Sequence, residues 1–272
     1  MTDYPAAHSM DSCWFAVDLD GNVAMFDTGE GGALPVFASF PLGGEAGGGE
    51  EFEGGQLLAA ALLARAKTDA ALAELLPDDE DTLRTVAEAG YWEMDLDGPR
   101  LLRSLGVWFY ECDEGMAFPY VRQGTAVGPV VVGDLPADIA ARFLDAKLPV
   151  RFAEEAELQP GEYGPVEAWG DAWVDRDGKA HVTESGDPKA VAGLDVEEHR
   201  WSPPEGRDVE PAPEGDDLLG LVRELLELGR QELERDATAT HRAAAARAAS
   251  DADVDWPEKR GFVGWLKKLF GG

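Results

Sequence analysis

The chain is poor in the residues that most often build reactive centres. Its 272 residues include two cysteines, four histidines, and 23 Lys+Arg against 54 Asp+Glu. Cys13 and Cys112 stand far apart in sequence, so they make neither a disulfide framework nor a zinc-ligand spacing. His8, His181, His199 and His241 are scattered with no metal-binding interval between them. The shortage of cations leaves a net charge of −31, and no basic stripe interrupts residues 1–257. A phosphate backbone would be repelled, so no nucleic acid is expected as a partner. Long apolar runs are missing as well. The strongest, Leu57 to Ala64, is far below the ~20 residues of a membrane-spanning helix. Met1 to Met10 carries no basic region followed by an apolar core, so no signal peptide is expected and a cytoplasmic protein is.

What is present suffices for a packed core. Hydrophobic residues make up 44% and aromatics 9%, which excludes wholesale disorder. Ile139 is the one isoleucine and Asn22 the one asparagine, and Arg outnumbers Lys. That bias looks like GC-rich codon usage and carries no function.

The pattern predicts an α+β fold: antiparallel hairpins with a few packed helices, then a linker, a long helix and a short amphipathic tail. Residues 12–27 alternate around Asp20-Gly21 and read as a hairpin. Trp14, Ala16 and Leu19 fall on one face, Phe15 and Val17 on the other. Residues 42–55 hold seven glycines and four glutamates, and read as a flexible loop. A helix is predicted over 56–76, ended by Pro77, and a second from Asp78 through Ala89, ended by Gly90. Residues 91–133 read as β, with strands at Val107–Cys112, Met116–Arg122 and Pro129–Val132. A helix over Pro136–Lys147 turns Ile139, Ala140, Phe143 and Leu144 inward, and Pro149–Ala153 reads as a strand. A second hairpin is predicted over 169–183. It repeats the first: Val17-Asp18-x-Asp20-Gly21 matches Val174-Asp175-x-Asp177-Gly178, which either an internal duplication or shared turn chemistry explains. The domain reading is an acidic body over 1–200, a Pro- and acid-rich linker over 201–217, an amphipathic helix over 218–249, an acidic linker over 250–257 and a basic-aromatic tail over 258–272.

Chemistry-bearing motifs are incomplete. The Asp-x-Asp-Gly turns resemble the centre of an EF-hand calcium loop, but the first-ligand positions hold Ala16 and Trp173. A third candidate, from Glu93 through Asp95 and Asp97, meets Pro99 and ends on Ser104, so no metal is expected. Ser12-Cys13-Trp14 resembles the nucleophile segment of papain-like cysteine proteases over three residues. That family needs its cysteine at a helix start, an upstream Gln and a distant Asn, whereas Cys13 sits in a strand pattern without either partner. No phosphate loop or dinucleotide fingerprint occurs, so no cofactor is expected and no small-molecule ligand is identified.

Residues 256–272 depart from the rest. They carry four bases and one acid. Phe262, Trp265, Leu266 and Leu269 share a helical face, with Lys267 and Lys268 opposite. These six are the candidate partner-binding residues. The favoured partner is a protein, and a membrane surface is the other option for residues 258–272. The terminal Gly271-Gly272 resembles the conjugated end of ubiquitin-like proteins, but there that end directly follows a compact domain. The expected function is a non-enzymatic interaction protein of the bacterial cytoplasm, an adaptor or an acidic inhibitor of the kind immunity proteins are. The alternative is a hydrolase or transferase using the carboxylates of the hairpin turns.

Overall fold

The computed structural model describes residues 13–29, 34–36, 54–91, 93–94, 97–112, 119–143, 146–167, 171–197 and 216–253. The fold is mixed α+β. In chain order the elements are β1 (Cys13–Val17), β2 (Val23–Asp27), β3 (Leu34–Pro35), α1 (Gly54–Ala66), α2 (Ala70–Ala73), α3 (Glu80–Tyr91), α4 (Asp97–Ser104), β4 (Trp108–Cys112), β5 (Tyr120–Arg122), α5 (Ala137–Arg142), β6 (Glu157–Leu158), β7 (Val166–Glu167), β8 (Ala172–Val174), β9 (Ala180–Val182) and α6 (Asp216–Asp253). The main sheet has the order β1-β2-β4-β5-β6, and β3-β7 and β8-β9 form two smaller sheets.

Most of the main sheet is apolar and buried on both faces; the exception is a partly buried row at one end where Asp27, Glu111 and Glu157 align across the strands. Its β1–β2 hairpin is antiparallel, while β2 pairs with β4 in parallel across the helical segment between them. Register sets Trp14, Phe26 and Tyr110 side by side on one face. Trp14 stacks on Phe26 with centroids 3.8 Å apart, and Phe26 on Tyr110 at 4.9 Å. Tyr120 and Phe152 close the cluster edge-on against Phe26. Each such ring removes roughly 150–250 Å² from water, so this cluster dominates that half of the core. Burial holds the Tyr110 and Tyr120 hydroxyls protonated well beyond their ordinary range. The opposite face carries Phe15 and Met25; Phe143 packs edge-on to Phe15, and the Tyr91 hydroxyl of α3 donates to Met25 Sδ at 3.7 Å.

Leu57 through Leu62 of α1 are all buried, so this helix is a core element surrounded by protein rather than an amphipathic surface helix. It packs against α3 with backbone in close approach: a Cβ on Gly55 would lie 2.3 Å from Glu88 Cα. The last glycine of the 42–55 stretch is therefore a packing residue.

Several expectations are corrected. The helix expected over 56–76 breaks after Ala66, because Asp69 caps a new turn by accepting the Leu72 N–H at 3.1 Å. Gly90 does not end α3; it lies inside it, where a Cβ would meet the Leu225 carbonyl oxygen of α6 at 2.3 Å. The reciprocal position is Gly229, whose added Cβ would lie 2.0 Å from the Val86 carbonyl oxygen. The region read as β from 91 contains helix α4, which begins at Asp97 with Pro99 in its first turn and buries Leu101 and Leu102. Val131 makes a single bridge to Asn22 rather than a strand. Pro149–Ala153 forms no strand: this segment runs beside the hairpin turn, with Leu19 donating to the Val150 carbonyl at 2.9 Å, and Phe152 plugs the aromatic cluster. Leu19 is 61% exposed in that turn instead of facing the core.

The chain divides into two compact units, Met1–Gly229 and Arg230–Gly272. The first includes the start of α6, where Leu218, Leu221, Val222, Leu225 and Leu226 are buried. In the second, the described residues continue α6, and residues 234–240 are exposed.

Candidate functional site

The two hairpins that repeat in sequence have the same turn. Asp18 Oδ1 accepts the backbone N–H groups of Asp20 at 2.9 Å and Asn22 at 2.8 Å. Asp175 Oδ1 accepts those of Asp177 at 3.0 Å and Lys179 at 2.8 Å. Each loop closes through a glycine at positive φ, Gly21 at 83° and Gly178 at 77°. An Asp that binds the N–H groups two and four residues on, followed by a glycine free to adopt that φ, is a complete recipe for a three-residue hairpin loop. Beyond the turns the likeness lapses. Gly29 N–H donates to the Asp27 side chain, whereas Gly186 N–H donates to the Thr183 backbone. Shared turn chemistry is sufficient to produce the repeat.

The second carboxylate oxygens separate the two turns. Asp18 is 5% exposed, and its Oδ2 accepts from Asn22 Nδ2 and from the Phe152 backbone N–H, both at 3.0 Å. All its acceptor capacity near the turn serves the fold. Neighbouring Asp20 pairs with Arg151 at 3.0 Å on the surface.

Asp175 Oδ2 instead lies 2.6 Å from His181 Nε2. The β8–β9 register explains this. Trp173 is paired with His181, and Asp175 lies two residues further along the same face. The Trp173 indole stacks on the imidazole with centroids 4.5 Å apart. Burial alone would raise the Asp175 carboxyl. The His181 hydrogen bond and the N–H groups of Lys179 and Asp177 outweigh it and hold the group below its ordinary value. The hairpin is anchored on the body side: the Trp173 ring lies so close to Gly161 that a Cβ there would fall 2.2 Å from it, and Arg176 pairs with Glu162 at 2.8 Å. The arrangement fixes the orientation of the imidazole between Asp175 and Trp173 on a partly exposed strand. Sequence reasoning left His181 without support. The signal was the spacing itself, legible once the hairpin register is fixed.

Elsewhere the chemistry is sparse. Cys13 begins strand β1, as its pattern predicted. Strand parity puts Cys13 and Cys112 on opposite faces of the sheet. Among the described residues, no three His, Cys, Asp or Glu side chains gather as a metal would require, and no helix is long and apolar enough to cross a membrane. A hollow of about 510 Å³ runs beside Gln231, Glu234, Arg235, Thr238 and Ala239, and among the described residues its lining comes from successive turns of α6. Phe262, Trp265, Leu266, Lys267, Lys268 and Leu269, with the whole of 258–272, lie outside the described residues, as do 37–53 and 198–215. No family model, curated protein or solved structure matches this chain.

Proposed function

We propose that the chain is a non-enzymatic interaction protein of the bacterial cytoplasm: an acidic adaptor or inhibitor whose body meets a partner and whose residues 258–272 recruit one. The observation that supports it is the state of the turn carboxylates. An enzyme built on them would need free oxygens in a cleft, and the buried one, Asp18, has both oxygens committed to four hydrogen bonds that hold the fold together. The net charge of −31 suits a basic protein partner, and Phe262, Trp265, Leu266 and Leu269 supply an apolar anchor beside Lys267 and Lys268. A membrane surface is the other acceptor for that segment.

The test compares the full chain with a version ending at Pro257. The truncated body keeps its melting temperature and loses its partner, and Trp265→Ala causes most of the same loss, since a buried large side chain contributes roughly 1.5–3 kcal/mol. A truncated body that melts much earlier shows an intramolecular staple, and the recruitment reading then fails. Vesicles carrying anionic lipid separate a membrane acceptor from a protein one.

A second reading, a hydrolase or transferase, is favoured by the Asp175–His181 pair alone. A deep fall in any hydrolytic activity on His181→Gln, with the melt unchanged, would establish it.

A further inference from the structure

We infer that the outer edge of strand β9 is a docking edge for an extended, basic segment of a partner protein, which pairs with it as an added strand. The inference rests on the reading that the acidic body itself holds a partner.

Hydrogen-bond parity singles out the edge. Asp175 donates to the Lys179 carbonyl and Thr183 to the Asp171 carbonyl, so the ladder uses the odd-numbered residues of this hairpin. The residues between, Ala180 and Val182 on β9, therefore turn their N–H and C=O groups away from β8. Among the described residues no backbone group pairs with Ala180 or Val182; the next outward N–H, that of Glu184, donates to the Val166 carbonyl of β7 at 2.9 Å, so the open stretch of this edge is Ala180 to Val182. Unpaired strand edges are templates for another strand.

Two further features suit this edge to binding. It is held before any partner arrives, by Trp173 on Gly161, by Arg176 to Glu162 and by Asp175 to His181, so little ordering remains to oppose association. Its surroundings are acidic: residues 171–197 carry seven carboxylates (Asp171, Asp175, Asp177, Glu184, Asp187, Asp195 and Glu197) against Arg176, Lys179 and Lys189. An incoming strand with alternating Lys or Arg would meet complementary charge while its backbone completes the ladder.

The experiment uses the full chain and two synthetic peptides, one alternating Lys and Val, one alternating Glu and Val. The basic peptide is expected to bind and to slow hydrogen exchange of the Ala180 and Val182 amides at least tenfold at about 0.15 M salt, where bulk attraction is screened. The acidic peptide should do neither. Val182→Pro and Ala180→Pro remove an outward N–H without touching the β8–β9 ladder, so they should weaken binding at least tenfold with the hairpin intact. Should either variant unfold, the exchange measurement on the unaltered chain decides alone. Protection that appears elsewhere, or equal binding of both peptides, overturns the inference. The chain ending at Pro257 must bind the basic peptide as the full chain does. If it does not, the docking edge fails while recruitment by residues 258–272 stands; if recruitment fails and peptide binding persists, the reverse holds.

Discussion

The carboxylate of Asp18 accepts the backbone N–H of Phe152 across 134 positions of sequence, at 3.0 Å. This bond ties the first hairpin turn to the residue that plugs the aromatic cluster formed by Trp14, Phe26, Tyr110 and Tyr120. The same segment is held by the Tyr110 hydroxyl, which donates to the Glu155 carbonyl at 2.8 Å, and by Arg122, which donates to the Phe152 carbonyl at 2.6 Å. One face of the sheet is thus closed by a stretch without regular structure, stitched on by polar groups.

Asp18→Ala should consequently be costly. It strands the Phe152 and Asn22 N–H groups in a buried place, and a loss of roughly 3 kcal/mol or more is expected. Asp175→Ala removes the same turn bonds from a more exposed hairpin and should cost about 1 kcal/mol. Urea unfolding followed by tryptophan fluorescence gives both values. Equal losses would mean that the Phe152 link contributes little.

Acid should weaken the fold through identifiable groups. Hydrogen bonding from Arg84 holds Asp138 below the ordinary carboxyl value of 3.8, and Asp175 is held below it in the way described above. A depressed carboxyl binds fewer protons folded than unfolded, so its contribution is present above the unfolded value of about 4 and is lost as pH falls through the folded one. Melting temperature should fall between about pH 4 and pH 2. Asp175→Asn and Asp138→Asn should each flatten that fall and leave the region above pH 5 without slope from these groups. A double variant with an unchanged acid limb would refute the assignment.

The crossing of α3 and α6 depends on absent side chains. Gly229→Ala places a methyl 2.0 Å from the Val86 carbonyl oxygen, and Gly90→Ala one 2.3 Å from that of Leu225. Overpacking of this kind costs roughly 1–3 kcal/mol. Gly220, on the same helix, has nothing within 4 Å of an added Cβ. Gly220→Ala should instead stabilise by up to about 1 kcal/mol, because alanine is the better helix former. Urea midpoints that move alike for Gly220 and Gly229 would sink the close-contact account.

Deleting Gly44 to Gly49 should change stability by under about 1 kcal/mol, because shortening a glycine-rich connection alters loop-closure entropy only weakly. The deletion stops short of Gly55, which packs on Glu88. A collapsed melting temperature would assign the stretch a packing role.

Local rules made much of the fold legible. Asp-Gly marked both hairpins, since the turn's chemistry is complete within five residues. The misreadings arose where a residue answers to a distant neighbour. Gly90 looks like a helix stop, and only the arrival of α6 reveals it as a contact. Phe152 alternates like a strand residue, but its place is set by the ring of Phe26 and the carboxylate of Asp18. Helix α4 was signalled by Asp97 and Pro99 and was overruled by the β-formers that follow it. At the candidate site, Asp175 and His181 are six positions apart, an interval with no meaning until a register supplies one.

The Asp18–Phe152 bond also sets a clock during synthesis. The hairpin turn leaves the ribosome 134 positions ahead of the residue that covers its aromatic face. At about 5–20 residues per second, that is a wait of roughly 7 to 27 seconds with Trp14 and Phe26 uncovered. Through that interval the nascent hairpin is a sticky surface, and repulsion among the chain's many carboxylates works against its meeting another copy on the same message.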